Sequence, residues 1–432
     1  MINLSFSVNQ LGNGVHNLGI VDPAVAIIIA FALLIILLYK RVNLGITLNV
    51  TAITLALLAL EWTKMPTVIY EASIKPETVS VVIATFGIML LSQLYKETGV
   101  INKLSESISR LIKNPKIVLG LVPAVIGLLP VAGGALMSAP LVDIEAEKLK
   151  LEPQRKAYLN LWFRHTIFPV YPLSLPIIVT AMLTDVTIPL IILRQIPTVL
   201  VMIIVGYVIG FWKIKTPEKE ESKSERSSNS NFKAFLLSFS PILATIVFAI
   251  ALGATGIEFF KQSRDIVIAV FIGIAVLIAI SKMKFATFAK PFKNWGIYGI
   301  TLAAYGAFLL REVMISPEIS QVFSQIVANG NSLYSGTVLL VTLPAVLGVL
   351  TGSPVSGVAI SIPILFGDSP VAANTAALIY ISAYLGYTIA PTHLCFTFTA
   401  DYFECQLGEV YKYVIPSFIL TFLTALLVYF LL

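Results

Sequence analysis

Charge is what this 432-residue chain has least of: Asp, Glu, Lys and Arg together make 12% of it. A soluble domain carries about 25%. Half the usual charge cannot dress a water-facing surface, which excludes a soluble globular protein. The 57% of apolar residues excludes disorder as well. Cysteine is scarce too. Cys395 and Cys405 are the only two, so there is no disulfide framework and no zinc-type cysteine spacing. The chain has no G-x-x-x-x-G-K-S/T loop, no H-E-x-x-H and no aspartate-rich cluster. That argues against a Walker-type nucleotide motor and the common metal-dependent membrane enzymes, so neither enzymatic activity nor a bound cofactor is expected. A net charge of +6 would suggest nucleic acid in a soluble protein. Here it reads as the basic excess of cytoplasmic loops, and no nucleic-acid partner is expected.

Apolar runs are abundant, and they predict an all-α polytopic membrane protein. A helix needs roughly 20 apolar residues to span about 30 Å of hydrocarbon. Plain runs fall at 23–39, 43–60, 78–95, 196–212, 234–252, 265–281, 295–311 and 411–431. Two longer runs, 157–183 and 371–400, each hold a proline-bearing interruption and predict broken helices. Two more, 117–142 and 336–366, carry glycine and proline at their centres. Asp22-Pro23 before the first run, with no basic segment, predicts a retained span and not a cleaved signal. The stretch 213–233 is charged, serine-rich and the one linker, dividing the chain into 1–212 and 234–432.

Basic residues predict the topology. If 117–142 and 336–366 are re-entrant hairpins and the other ten segments cross, one face holds 22 of the 29 Lys and Arg. The opposite face holds six, and Arg164 lies within the membrane. The positive-inside rule then puts both termini outside and the linker 213–233 in the cytoplasm, with the plasma membrane as the expected location.

The halves also repeat. Phe86–Leu91 matches Tyr305–Leu310, Val122–Gly127 matches Leu343–Gly348, Ser138-Ala139-Pro140 matches Ser361-Ile362-Pro363, Thr166–Pro169 matches Thr388–Pro391, and Ile196-Pro197 matches Ile415-Pro416. The offsets are 219, 221, 223, 222 and 219. Five crossings per half, an odd number, turn the second copy upside down. Inverted repeats with interrupted helices in matching places are the signature of secondary transporters.

Irregular backbone at membrane depth survives only inside protein or beside water. The hairpin tips Pro130–Gly134 and Thr351–Gly357 and the breaks near Phe168–Pro172 and Ala390–His393 therefore predict a site at the bilayer midplane. Helix N-termini there favour an anion, and C-terminal carbonyls a cation. The candidate contacts to substrate are Gly133, Gly134, Ser138, Asn160, Arg164, His165, Gly352, Ser353, Ser356, Thr392 and His393. Arg164 suits a carboxylate or phosphate, though it equally suits snorkelling or capping the first hairpin's carbonyls. His165 and His393 suit a proton, and Thr351, Ser353 and Ser356 suit sodium, with capping and turn formation explaining those hydroxyls just as well. Asp401 and Glu404 read as solvated, and Gly206-x-x-x-Gly210 as helix packing. The amphipathic stretches 98–113 and 316–329 read as interfacial arms before each hairpin.

Leu129–Pro140, followed by Asn160–His165 and Tyr171-Pro172, resembles the domain-of-unknown-function 401 family of integral membrane proteins, within the ion transporter superfamily of gluconate, lactate, citrate, arsenite and dicarboxylate carriers. The resemblance implies a hairpin-and-broken-helix fold, homodimers and a substrate site at the hairpin tips. The dicarboxylate branch carries Ser-Asn-Thr motifs at its tips. Here the tips read Ala132-Gly133-Gly134 and Gly352-Ser353-Pro354, so that branch's ligands do not transfer. The expected function is a secondary active transporter of a small, organic anion coupled to H+ or Na+. A gated anion channel on the same scaffold and a membrane enzyme acting on a lipid-linked substrate are the alternatives.

Overall fold

The computed structural model describes residues 19–40, 42–112, 114–129, 134–215, 228–260, 264–322, 333–367 and 369–431. The described residues are helices and short connections. In the first half these are α1 (Pro23–Tyr39), α2 (Leu44–Ala59), α3 (Met65–Ile74), α4 (Pro76–Glu97), α5 (Val100–Leu111), α6 (Pro115–Gly127), α7 (Ala135–Glu147), α8 (Pro153–Thr166), α9 (Leu175–Thr184) and α10 (Ile188–Gly210). The second half supplies α11 (Ser228–Ala254), α12 (Arg264–Ser281), α13 (Phe285–Ala289), α14 (Trp295–Met314), α15 (Leu333–Thr351), α16 (Pro354–Phe366), α17 (Ala373–Ile389), α18 (Leu394–Tyr402) and α19 (Leu407–Leu431).

Local chemistry sets the starts. Proline occupies the first helical position of α1, α4, α6, α8 and α16, where its missing N–H has no partner to lose. Asp22, Asn43 and Asn114 cap α1, α2 and α6 through their side-chain oxygens. The helices overrun the apolar runs: α10 begins at Ile188 rather than 196, and α11 takes in Ser228–Lys233 from the end of the linker. Polar residues continue a helix readily once water can solvate their side chains. The sequence reading missed the short helices α3 and α13, which have too few apolar residues to cross anything.

Among the described residues, seven segments are long and apolar enough to cross a membrane: Pro76–Glu97, Pro153–Thr184 read through its break, Ile188–Gly210, Asn231–Ala254, Arg264–Ser281, Trp295–Met314 and Leu407–Leu431. The expected ten crossings add α1, α2 and the broken pair α17–α18. With 17 and 16 residues, α1 and α2 rise roughly 25 Å at 1.5 Å per residue, at the short end for a span. The protein is a multi-pass membrane protein.

Packing repeats between the halves. Helix α2 lies on α14, and its mate α12 lies on α4, the mate of α14. The pairs α6–α7 and α15–α16 each pack together, α6 on α8 and α15 on α17. The second arm of each pair also reaches across: α7 touches α18 and α16 touches α9. The stretch 98–113 forms α5, whose buried face is Val100, Ile101, Leu104 and Ile108. Its counterpart 316–329 falls largely outside the described residues.

Polar contacts tie the two ends of the molecule. At one end the Lys64 ammonium lies 2.8 Å from Glu318, which holds its pKa above the usual lysine value. Lys75 pairs with Glu312 at 2.7 Å at the same end. At the other, Lys116 donates to the Ile214 carbonyl (2.7 Å), Arg155 donates to the Trp212 carbonyl (3.1 Å), and Lys156 pairs with Asp143 and Glu147. Lys290 meets Glu97 at 3.3 Å.

Candidate functional site at the helix breaks

Proline creates the first break and tyrosine repairs it. In a continuous helix the N–H of residue 169 would pair with the carbonyl of His165, and that of residue 172 with Phe168. Both positions are proline, so both carbonyls lose that helical donor, and the Phe168 carbonyl accepts from the Tyr171 N–H at 3.2 Å instead. Tyr384 donates its hydroxyl to the His165 carbonyl at 2.7 Å, and Tyr380 donates to the Phe168 carbonyl at 3.1 Å. Tyr380, Tyr384 and Tyr387 stand at i, i+4 and i+7, one face of α17; the first two are buried and Tyr387 is partly buried. The sequence reading did not single out these tyrosines. Their helical spacing in an apolar run, two hundred residues from the proline pair, was the available signal. At the second break the His393 N–H turns to Ala390, and Tyr411 donates instead to the Ile389 carbonyl at 2.7 Å.

Small residues let the segments approach. A Cβ on Gly127 would lie 2.4 Å from the Arg164 carbonyl oxygen. Its repeat mate Gly348 would lie 2.3 Å from that of Ala383, and Gly386 would lie 2.2 Å from that of Ala345. Gly352 adopts φ +60° at the second tip and faces the Thr392 carbonyl at 2.8 Å, so it is constrained twice. Thr392 donates to the Val349 carbonyl at 2.8 Å, tying the tip to the second break. Gly206 and Gly210 abut Trp162 and Leu159, as expected of packing glycines.

The candidate residues divide into groups. Ser138, on α7, donates to the Asn160 side-chain oxygen at 2.6 Å. The Asn160 amide donates to the Ala135 carbonyl (2.9 Å) and reaches Thr399 on α18 (3.4 Å), so it joins both halves. Arg164 is 2% exposed and does not snorkel. Its Nη2 caps the Leu129 carbonyl at 3.2 Å, while Nη1 has no partner among the described residues. Gly134 precedes α7, and Gly133 lies outside the described residues. Thr351 donates within its own turn, to Leu347 (2.7 Å), and Ser353 precedes α16. The Ser356 hydroxyl is buried without a partner among the described residues, as are Ser361 and Ser382.

His165 and His393 meet edge to face, with ring centroids 4.7 Å apart. His165 Nδ1 lies 2.6 Å from the Leu161 carbonyl, which only accepts, so Nδ1 carries the proton. Its Nε2 then accepts, at 3.3 Å, from the Tyr387 hydroxyl. Tyr387 also lies against His393, tilted by 38° with centroids 3.9 Å apart. Neither ring nitrogen of His393 has a partner among the described residues, and its ring is buried. Counted along the repeat, His165 corresponds to Tyr387 and Tyr171 to His393, an offset of 222 in both cases. A histidine–tyrosine pair is thus exchanged across the centre of the molecule.

Broken helices, paired short helices and an exchanged packing pattern define a class: polytopic all-helical membrane proteins built from two related halves. The chain belongs to the DUF401 family, described as protein of unknown function, which matches residues 24–432. No curated relative matches it. The fold is similar to that of the YdaH transporter of Alcanivorax borkumensis, described as having an unusual topology. That likeness has a TM-score of 0.61 at 13% identity and covers 94% of this chain and 97% of that one. It is also similar to MtrF of Neisseria gonorrhoeae, described in a class of antimetabolite efflux pumps, with a TM-score of 0.50 at 13% identity over 95% and 94% of the two chains.

Proposed function

We propose that this protein is a secondary active transporter of a small, organic anion, coupled to H+ or Na+. The observation that carries the reading is Arg164: a guanidinium buried beside a hairpin end, with no carboxylate partner and one arm unpaired among the described residues. An unpaired buried charge is costly, and an anionic substrate supplies the missing counter-charge. The transporter fold of the two similar structures supports the same reading.

The contacts at the two ends support an inverted arrangement. Among the described residues Lys64 pairs with Glu318, Lys75 with Glu312 and Lys290 with Glu97, each carboxylate lying in a segment end expected on the same face as its lysine. Lys116 in the first turn of α6 and Arg155 in the first turn of α8, just after α7, both reach residues 212–214. These contacts support an α6–α7 pair that starts and finishes at one end, as a re-entrant hairpin does. On this reading both termini face outward at the plasma membrane, the linker 213–233 is cytoplasmic, and the protein works as a homodimer. The hairpins and broken helices move against a scaffold of α1, α2, α11 and α12. The free His393 nitrogens or the Ser356 hydroxyl would take the coupling ion.

Proteoliposome uptake of citrate, gluconate, lactate and phosphate, with pH and sodium gradients imposed separately, tests it. The reading predicts accumulation of at least one anion only under a gradient. Arg164→Ala removes a charge-assisted bond of about 1.5–3 kcal/mol and should raise the apparent Kd roughly 10- to 150-fold. Uptake indifferent to every gradient, at channel-like flux, would favour the gated channel instead.

A further inference from the structure

Where the two breaks meet, the molecule brings together three groups that the sequence holds 228 and 230 residues apart: His165, His393 and Cys395. A ligand atom from each lies within 4.8 Å of the others, and all three residues are buried. We propose that this is a binding site for a soft monovalent metal ion, Cu(I), held by His165 Nε2, one His393 ring nitrogen and the Cys395 sulfur.

Three features carry the assignment. The first is the second shell. Metal-binding histidines donate their other N–H to a fixed acceptor, commonly a backbone carbonyl, and this sets which nitrogen faces the metal. His165 is already arranged so, its Nδ1–H on the Leu161 carbonyl at 2.6 Å and its Nε2 turned inward. The bond it would give up, from the Tyr387 hydroxyl, is long at 3.3 Å. The second is His393. Two unpartnered nitrogens on a buried imidazole are a standing cost in an apolar interior, and a metal bond relieves it. The third is the donor set. Imidazole with thiolate selects soft metals and leaves hard sodium and magnesium poorly served.

Charge decides between the soft metals. On binding, the Cys395 S–H bond breaks, its proton passes to solvent and the S–metal bond forms. Cu(I) with one thiolate and two neutral imidazoles has no net charge, whereas Zn(II) would leave a positive charge inside the protein, on the helix that holds buried Arg164. Trigonal bonds of about 2.0–2.3 Å place the donors roughly 3.5–4 Å apart, so occupancy requires the cluster to tighten by about 1 Å. His165 sits at the end of α8, His393 and Cys395 at the start of α18, so a bound ion joins the two halves of the repeat.

The inference shares His393 with the transport reading but does not rest on it, and it has its own test. Purified full-length protein in detergent is titrated with Cu(I) against a chromophoric Cu(I) chelator, and the bound ion is examined by X-ray absorption. The expected result is one Cu(I) per chain with one sulfur and two nitrogen neighbours. Cys395→Ser and His393→Gln should each weaken binding by about 100-fold or more, beyond the roughly 10–100-fold that loss of an outer-shell partner costs. Cys405→Ser should leave it unchanged. Should Cys395→Ser fail to fold, sulfur coordination in the wild-type spectrum and the His393→Gln titration decide. Cu(I) binding that survives both substitutions, or a wild-type spectrum without sulfur, overturns the proposal.

Discussion

Arg164 and Asn160 stand one turn apart on α8, and each donates to a backbone carbonyl of the hairpin beside it. Asn160 satisfies Ser138, the Ala135 carbonyl and Thr399 at once. Removing it leaves the Ser138 hydroxyl only the longer bond to the Ala135 carbonyl at 3.1 Å and takes the amide donor from Thr399, a net loss of about 0.5–1.5 kcal/mol per hydrogen bond. Asn160→Ala should lower unfolding stability in mixed micelles by that amount, while Asn160→Ala combined with Ser138→Ala should cost less than the sum of the two singles. Additive losses would mean the two side chains do not act as one unit. The repeat mates of Ser138 and Asn160 are Ser361 and Ser382, and both hydroxyls lack partners among the described residues. Ser138 has its partner and Ser361 has none among the described residues, so the two hairpins are unequal in chemistry despite matching in shape. Much of this was legible in sequence: Asn160, Arg164 and His393 stood out as polar groups in apolar runs. Their partners did not, because a carbonyl such as that of Leu129 has no residue-type signal, and Thr399 looks like any helix threonine.

At the scale of elements, glycine sets how closely each hairpin's first arm rides on its broken helix. Gly348 admits the Ala383 carbonyl where any side chain would collide, at 2.3 Å. Gly348→Ala should destabilise the fold by about 1–3 kcal/mol or more. Gly408→Ala, where nothing lies within 4 Å, should change stability by less than about 0.5 kcal/mol. Equal effects at the two sites in a denaturant titration would contradict the close-approach argument. The positions of the breaks were readable, since Pro169, Pro172 and Pro391 interrupt apolar runs directly. How the broken ends are satisfied was not, because the donors Tyr380, Tyr384 and Tyr411 arrive from other helices. The short helices α3 and α13 escaped notice because neither carries an apolar run of spanning length.

For the whole molecule, the exchanged contacts α2–α14 and α4–α12, and α7–α18 and α16–α9, place two copies of one unit around a common centre. On the proposed reading, an odd number of crossings per copy makes them antiparallel, and the positive-inside count gives the direction. The most direct measurement is labelling of matched loops with a membrane-impermeant maleimide on intact cells. Trp62, 67% exposed before α3, and Lys282, between α12 and α13, are mates at an offset of 220. In a Cys405→Ser background, Trp62→Cys should label from outside and Lys282→Cys only after the membrane is opened. If both label from the same side, the halves are parallel, and the site between their breaks does not exist in the form drawn.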